Sequence, residues 1–191
     1  MELSMKDMGV VHGRFQVLHN DHLKYILAAR ARCAHLVVGI TNPDPTLIRE
    51  DPSDPGRSAP QANPLTYFER YTMVRRVLMG EGLTQEEFSI VPFPINLPEL
   101  YPCYLPMEAT FYLTIYDDWG KRKLQLFQSL GLKTEVLWER PLAEKGLRAG
   151  EIRRMIALGE PWEHLVPQGT REVIAMFDIA SRLRKLFWRG A

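Results

Sequence analysis

The feature that most constrains the fold is a short apolar run that ends near a glycine and leads into two closely spaced histidines. The run covers residues 8–11, Gly13 follows it, and His19 and His22 stand three apart where a helix-like segment begins. Strand, glycine-bearing turn and helix in this order are typical of the first half of a parallel βαβ unit. A helix start offers unpaired N–H groups and the positive end of a dipole, so this junction predicts a phosphate site.

The two histidines add a chemical prediction to this junction. Residues three apart lie about one helical turn apart, so both rings can face one ligand. If both donate hydrogen bonds to a phosphate, they stabilise the negative charge that grows during phosphoryl or nucleotidyl transfer. A zinc site is a weaker alternative, because the pair supplies two ligands and no cluster of Cys or His nearby completes four. Taken alone, the spacing also fits ordinary capping or surface histidines.

Length and composition limit the classes of protein that the chain can belong to. The 191 residues are 46% hydrophobic with a formal net charge of +1, which fits one globular domain and gives no argument for a nucleic-acid partner. Cys33 and Cys103 form no CxxC motif and are expected to be free thiols, so a reducing, cytoplasmic location is expected. We find neither a signal peptide nor an apolar run of about 18 residues, so no membrane association is expected.

Apolar, β-rich segments alternate with helix-like segments along the chain. Beyond the first run, strands are predicted at 35–41, 88–95, 110–115 and, after a turn, within 131–138. Helices are predicted at 22–33, 64–80, 117–130, 146–156 and 170–188. This alternation favours an α/β fold with a doubly wound, Rossmann-like parallel sheet of about five strands. We expect a single domain over 1–191, with its core in 8–156 and a helical part at 157–191.

Two of the helices carry more specific predictions. The apolar face of the helix at 64–80 is predicted to consist of Phe68, Tyr71, Val74, Val77 and Leu78. The helix at 170–188 is predicted to be continuous and to pack through an apolar stripe. Its cations are predicted to lie on a solvated face rather than in a nucleic-acid patch, and they are Arg182, Arg184, Lys185 and Arg189.

The segment from Pro43 to Pro64 contains six prolines, several charges and no periodicity, so it is predicted to be a loop. Long loops in compact domains are often functional or mobile, and a disordered insertion explains the composition equally well. If this loop closes over a ligand, Arg49, Arg57 and Ser58 could contact phosphates.

The first junction also carries a resemblance to a known family. The segment from Gly13 to His22 resembles the GRFQPxHxGH signature of nucleotidylyltransferases and is most similar to the nicotinamide-mononucleotide adenylyltransferase type. The matching residues are Gly13, Arg14, Phe15, Gln16, His19 and His22. The segment departs at Val17, where the family usually has Pro, and at Asp21, where it has Gly. A carboxylate at Asp21 would repel a triphosphate unless a cation intervenes.

A second segment resembles the family signature G-I-S-[SG]-[ST]-x-[IV]-R, whose hydroxyls and arginine bind the triphosphate. Here Gly146, Ile152 and Arg153 match, whereas Arg148 and Gly150 stand at the two hydroxyl positions. Arg148 could give a stronger anion contact than a neutral donor, or the departures could reduce activity. Asp21 and Arg148 could also form an ion pair that offsets both changes.

Two further segments resemble parts of the family that border the active site or contact the acceptor. Asn63 to Thr66, followed by Glu69-Arg70, resembles an NPFT…ER segment, although a capped packing helix explains it equally well. The segment 117–123 resembles an NDEWGRRK segment.

The second of these segments implies that Asp118 and Trp119 bind the acceptor. Trp119 either stacks on a planar ring of a ligand or packs into the core. The Pro- and Tyr-rich stretch at 96–106 adds Tyr101 and Tyr104 as candidates for acceptor contacts.

The resemblance implies the nucleotidylyltransferase type of fold and an enzyme that transfers a nucleoside monophosphate to a phosphate-bearing acceptor, releasing pyrophosphate. ATP and nicotinamide or nicotinate mononucleotide are the expected substrates, with Mg²⁺ bridging phosphates and no metal site on the protein. The implied catalytic residues are His19, His22 and Arg153. The implied nucleotide-binding residues are Gly13, Arg14, Phe15, Gln16, Arg148 and Gly150. The implied acceptor-binding residues are Asn63, Thr66, Asp118 and Trp119. Family members often self-associate, so a homo-oligomer is possible.

Three alternatives remain at this point. The motif departures and the loop at 43–64 leave room for a cytidylyltransferase that acts on a phosphonate or sugar-phosphate acceptor. Asp21 and the missing hydroxyls are also compatible with a catalytically weakened nucleotide-binding module. A Rossmann-type oxidoreductase is disfavoured, because no GxGxxG follows the first strand and Thr41-Asn42, rather than an acidic residue, ends the second.

Overall fold

A five-stranded parallel sheet forms the centre of the protein. The computed structural model describes residues 7–48 and 59–189, and the strand order in its sheet is β3-β2-β1-β4-β5. The strands are β1 (Met8–Gly13), β2 (His35–Thr41), β3 (Phe88–Phe93), β4 (Thr110–Ile115) and β5 (Lys133–Glu139). All four pairings between neighbouring strands are parallel. The predicted doubly wound α/β fold is therefore confirmed, and β2 and β4 begin and end where the sequence placed them.

Seven α-helices lie in the described part of the chain. They are α1 (Asn20–Arg30), α2 (Tyr67–Gly80), α3 (Tyr101–Tyr104), α4 (Asp118–Ser129), α5 (Ala149–Leu158), α6 (Gln168–Met176) and α7 (Ile179–Arg189). Within that part, no helix is long and apolar enough to cross a lipid bilayer. The phosphate contacts predicted for Arg49, Arg57 and Ser58 lie outside the described residues.

The sheet separates two apolar cores, and alternation along β1 shows the division. Val11 belongs to the larger core, which α1, α2, α5, α6 and α7 complete. Val10 belongs to the smaller core, which contains Phe93, Phe111 and Phe127. Because neighbouring strand residues point to opposite faces, His12 shares the face of Val10.

The continuous helix predicted at 170–188 is wrong, because the chain breaks between α6 and α7. Asp178 adopts a left-handed backbone conformation there, with φ of 47°. Aspartate tolerates this region better than most residues that carry a side chain. The break lets α6 pack on α2 while α7 packs on α5, so the two halves cover different helices of the larger core.

The predicted apolar face of α2 is wrong at its first turn. Phe68 is 64% exposed, whereas Glu69 and Arg70 are buried. Glu69 caps α2 by accepting the Thr66 N–H, and its carboxylate pairs with Arg182 of α7. The prediction that Arg182 lies on a solvated face is therefore also wrong. Polar side chains are buried here because main-chain groups and an opposite charge provide their partners.

Arg70 ties the start of α2 to the ends of two central strands. Its guanidinium is almost fully buried and donates to the carbonyls of Arg14, Thr41, Asn42 and Thr66, at 2.7–3.2 Å. Carbonyls at strand ends have no partner in the sheet, and a five-donor guanidinium can satisfy several of them at once. Arg70 therefore fixes the loops that follow β1 and β2.

Replacing Arg70 by Met should destabilise the protein by about 3 kcal/mol or more, because the carbonyls of Arg14, Thr41 and Asn42 lose the guanidinium that binds them. Arg76→Met, on the same helix, removes the exposed Arg76–Glu172 pair (2.9 Å) and should cost about 0.5 kcal/mol. Urea unfolding of both variants at pH 7 tests this difference. Equal losses of stability would contradict the role given to Arg70.

Candidate active site

A pocket of about 580 Å³ opens at the carboxyl ends of the strands. Gly13 and Thr41 contribute from the ends of β1 and β2, Thr114 from β4 and Trp138 from β5. The pocket lies where the strand order reverses around β1 and β4, which is where open parallel sheets bind ligands. Its lining divides into three parts.

The three parts of the lining come from different elements, and we name each by its main feature. The phosphate wall comes from the starts of α1 and α5 and consists of His19, Asp21, His22 and residues 146–150. The ring wall lies beside β5 and includes Tyr116, Trp138, Leu142 and Lys145. The α4 wall consists of His12, Ile95, Asn96, Trp119, Gly120 and Lys123. Arg14, which follows β1, also lines the pocket.

His19 and His22 cap α1 reciprocally. The Nδ1 atom of His19 accepts the main-chain N–H of His22, and the Nδ1 atom of His22 accepts the N–H of His19, both at 3.4 Å. The rings stack with centroids 3.7 Å apart. This is the capping-box arrangement, with histidines where Ser or Thr and Glu usually stand. Because each Nδ1 accepts a hydrogen bond, each neutral ring carries its proton on Nε2 and is a donor there.

Burial keeps both rings neutral. Burial lowers the pKa of His19 to about 4, against a smaller opposing effect of the Asp21 carboxylate. Burial also lowers the pKa of His22 well below its usual value, helped by repulsion from protonated His19 and from Arg14 and opposed by the Val17 carbonyl. At pH 7 both rings are therefore neutral, with Nε2–H groups whose orientation is fixed before a ligand arrives.

Asp21 connects the two phosphate motifs. Its Oδ2 atom accepts the main-chain N–H of Leu147 at 2.7 Å. A Cβ atom at position 146 would lie 2.3 Å from this same oxygen, so Gly146 is required for the contact. The conceivable ion pair between Asp21 and Arg148 does not form, because the carboxylate turns to the main chain of the neighbouring residue instead. Asp21 thus holds the loop before α5 against the start of α1.

The structure separates the predicted nucleotide-binding residues into two groups. Gly13, Arg14, Arg148 and Gly150 line the pocket. The other predicted residues, including the predicted catalytic Arg153, support the lining from behind, and they are Phe15, Gln16 and Arg153.

Each supporting residue has its own contacts. Gln16 exchanges two hydrogen bonds with the main chain of Leu65, at 2.9 and 3.2 Å. Arg153 donates to the Gln16 carbonyl, and the buried ring of Phe15 meets His22 edge-on at 5.2 Å. A role of Arg153 in phosphate binding stays a prediction.

The predicted acceptor residues divide in the same way. Trp119 lines the pocket, and the Nζ atom of Lys123 lies 4.3 Å from the centroid of its ring. Asp117, rather than Asp118, faces the pocket; it caps α4 through Gly120 N–H at 2.9 Å and pairs with Lys145 at 3.0 Å. Asp118 lies beside a smaller neighbouring cavity instead.

The remaining acceptor candidates do not line the pocket themselves, and each has a structural contact. Thr66 caps α2 by accepting the Glu69 N–H at 3.2 Å, and Asn63 donates to the Ala59 carbonyl at 3.0 Å. Tyr101 is fully buried and donates to the Ile95 carbonyl at 2.6 Å, while Tyr104 packs on the smaller core. Tyr101 is buried because its hydroxyl finds this main-chain partner.

Several residues that line the pocket were not predicted from the sequence, among them His12, Asn96, Lys123 and Lys145. His12 follows directly on the apolar run at 8–11, and its place at the carboxyl end of a buried strand was the signal that could have found it. Lys123 lies in the segment 117–123, but the face of α4 that meets the pocket depends on how the helix packs.

The central strand leads into a histidine-capped helix whose start lies beside that of a second helix on one wall of the pocket, an arrangement suited to a phosphate-bearing ligand such as a nucleotide. The chain belongs to the cytidylyltransferase-like family, whose sequence profile matches residues 10–188. It is 49% identical over 176 residues to the phosphonoformate cytidylyltransferase of Streptomyces viridochromogenes, covering 92% of this chain and 95% of that protein.

A more distant relative and a structural neighbour also match the chain. The chain is 29% identical over 184 residues to the nicotinamide-nucleotide adenylyltransferase of Thermococcus kodakarensis, covering 95% of this chain and 89% of that protein. A solved structure of a bifunctional NMN adenylyltransferase/ADP ribose pyrophosphatase from Francisella tularensis superposes with a TM-score of 0.59 at 15% identity. That match covers 96% of this chain and 57% of the solved chain, so this chain spans little more than half of that protein.

Histidine tautomers give a direct test of the pocket geometry. In ¹⁵N-labelled protein, the rings of His19 and His22 should be neutral Nε2–H tautomers at pH 7. His19 should reach half-protonation only at about pH 4. Long-range ¹H–¹⁵N spectra measure both properties, and single substitutions assign the signals. An Nδ1–H tautomer, or a ring that titrates between pH 6 and 7, would contradict the reciprocal cap.

Proposed function

We propose that the protein is a cytidylyltransferase that transfers CMP from CTP to a small phosphonate acceptor and releases pyrophosphate. The observation that carries the proposal is the 49% identity, over nearly the whole chain, with a protein named phosphonoformate cytidylyltransferase. Identity with the nicotinamide-nucleotide adenylyltransferases is 29% over a similar length. Cytidylyl transfer to a phosphonate therefore fits the comparisons better than the adenylyl transfer that the first motif suggested.

The phosphate wall supports the chemistry of this reaction. An oxygen of the acceptor phosphonate attacks the α-phosphorus of CTP, a new P–O bond forms, and the bond to the bridging oxygen breaks so that pyrophosphate leaves. A phosphonate at neutral pH already carries negative oxygens, so the step needs neither a nucleophilic side chain nor a general base. The protein has to position the reactants and stabilise charge.

His19 and His22 are suited to that stabilisation. Their Nε2–H groups would donate to oxygens of the reacting phosphates, where negative charge grows during the transfer. Because both rings are held by main-chain N–H groups, they need little reorganisation when the ligand binds. Arg14 and Arg148 add positive charge around the same wall, together with the N–H groups at the start of α5.

The described residues fit a Mg²⁺ ion that arrives with the triphosphate. Within 7–48 and 59–189 there is no group of three or more potential metal ligands. Mg²⁺ is commonly held by one or two carboxylates together with phosphate oxygens and water, and Asp21 is the carboxylate of the phosphate wall. When bound, the ion would neutralise charge on the departing pyrophosphate.

The substrate assignment is tested by pyrophosphate release with Mg²⁺ in four combinations of CTP or ATP with phosphonoformate or nicotinamide mononucleotide. We expect release with CTP and phosphonoformate, and at least about 100-fold less with each other pair. If pyrophosphate were released only with ATP and nicotinamide mononucleotide, the protein would be an adenylyltransferase instead. If none of the four combinations released pyrophosphate but CTP still bound, the result would point to a nucleotide-binding module.

The role of the histidine pair is tested by His22→Gln. Glutamine at this position can keep the capping box, so the fold should persist while the imidazole donor is lost. We expect kcat to fall by about 100-fold with a small change in the KM for CTP. His164→Gln changes an exposed histidine outside the pocket and should leave kcat unchanged. Full turnover by His22→Gln would remove His22 from the mechanism.

A further inference from the structure

His12 is a buried histidine whose ring makes no hydrogen bond within the described part of the chain. Its side chain is at the carboxyl end of β1, the residue is 6% exposed, and its ring packs against Phe93 and Phe127 with centroids 5.6 and 5.5 Å away. Neither ring nitrogen finds a hydrogen-bond partner among the residues that the structure describes. Burying an unpaired polar group costs stability, so an apolar side chain would suit this position better if packing were its purpose.

The surroundings of His12 point to an anionic ligand. His12 lines the pocket on the α4 wall, together with Asn96 and Lys123. Burial, followed by the positive charge of Lys123, lowers the pKa of His12 well below its usual value. The ring is therefore neutral, with one N–H to donate, and it stands close enough to an ammonium group to be influenced by it. The two carboxylates of the pocket, Asp21 and Asp117, already bind Leu147 N–H and Lys145.

The other two walls are better suited to CTP. The phosphate wall carries the helix starts and the histidine pair, which fit a triphosphate. The ring wall presents Tyr116 and Trp138, whose planar faces suit a nucleobase. An acceptor that attacks in line must approach the α-phosphorus from the side opposite to the pyrophosphate. The α4 wall remains for that acceptor.

We infer that His12 forms a subsite for a second anionic group on the acceptor, a carboxylate separate from the phosphonate that attacks. The inference rests on the proposed function and narrows its substrate class to small phosphonates that also carry a carboxylate. The His12 N–H donates to one carboxylate oxygen, and Lys123 neutralises the charge. His12 takes no part in bond making or breaking; it selects and positions the acceptor.

The ring nitrogens of His12 are covered in this structure. A ligand therefore reaches them only after a side chain of the α4 wall moves, and Trp119 and Lys123 are the long side chains there. Acceptor binding should change the environment of Trp119. Trp119→Phe removes this fluorophore. The part of the fluorescence change on acceptor binding that is present in the wild-type protein and absent from Trp119→Phe therefore reports the movement.

The test compares His12→Leu with wild-type protein on two acceptors, phosphonoformate and methylphosphonate, which lacks the carboxylate. Wild-type kcat/KM should favour phosphonoformate by at least about 30-fold, and His12→Leu should reduce this preference to about threefold or less. The KM for CTP should not change. His12→Gln, which restores a donor, should recover part of the preference, and His164→Leu serves as the matched control outside the pocket.

Stability and binding are measured separately from turnover. His12→Leu should unfold at the same temperature as wild-type protein or higher, because it removes an unsatisfied buried group. With a non-hydrolysable CTP analogue present, phosphonoformate should raise the unfolding temperature of the wild-type protein and not that of His12→Leu.

Equal stabilisation of both proteins by phosphonoformate, or none in the wild-type protein, would overturn the subsite. So would an unchanged acceptor preference in His12→Leu. Binding that depends on His12 without any release of pyrophosphate would support the subsite while the proposed function fails. The two proposals can thus fail independently.

Discussion

The reciprocal hydrogen bonds between His19 and His22 are the interaction on which the site depends. They satisfy two main-chain N–H groups at the start of α1, and by the same contacts they fix which nitrogen of each ring carries the proton. The same two rings thus cap the helix through Nδ1 and carry their protons on Nε2. These bonds hold both rings in place beside the pocket, where burial keeps them neutral.

Three sets of polar contacts hold the surroundings of that pair in place. Arg70 fixes the loops after β1 and β2, and Asp21 fixes the loop before α5. Arg153 holds the Gln16 carbonyl within the first motif. The two phosphate motifs are 126 residues apart in sequence at the Asp21–Leu147 contact. They form one wall because the Asp21 carboxylate binds the main chain of the second motif, and a glycine at position 21 would have no side chain to do so. The departure at Asp21 therefore has a structural role in this chain.

The sequence predicted the sheet well and the pocket lining only in part. Apolar runs such as 35–41 and 110–115 are local signals, so both strands were placed correctly. Burial of Glu69 and Arg70, and the break at Asp178, depend on partners far along the chain, which periodicity does not report. The place of His12 in the pocket was not predicted for a related reason. A lone histidine after an apolar run can be assigned to a pocket only when the positions of the neighbouring strands are known.

The measurement that tests the account most directly is ³¹P NMR of the protein with CTP, phosphonoformate and Mg²⁺. Cytidylyl transfer predicts a pair of mutually coupled signals from a mixed anhydride of CMP and the phosphonate, growing in step with pyrophosphate. Unchanged CTP and phosphonoformate, or pyrophosphate that appears with free CMP and no coupled pair, would contradict it. Either contrary result would mean that the histidine-capped pocket does not join a nucleotide to this class of acceptor.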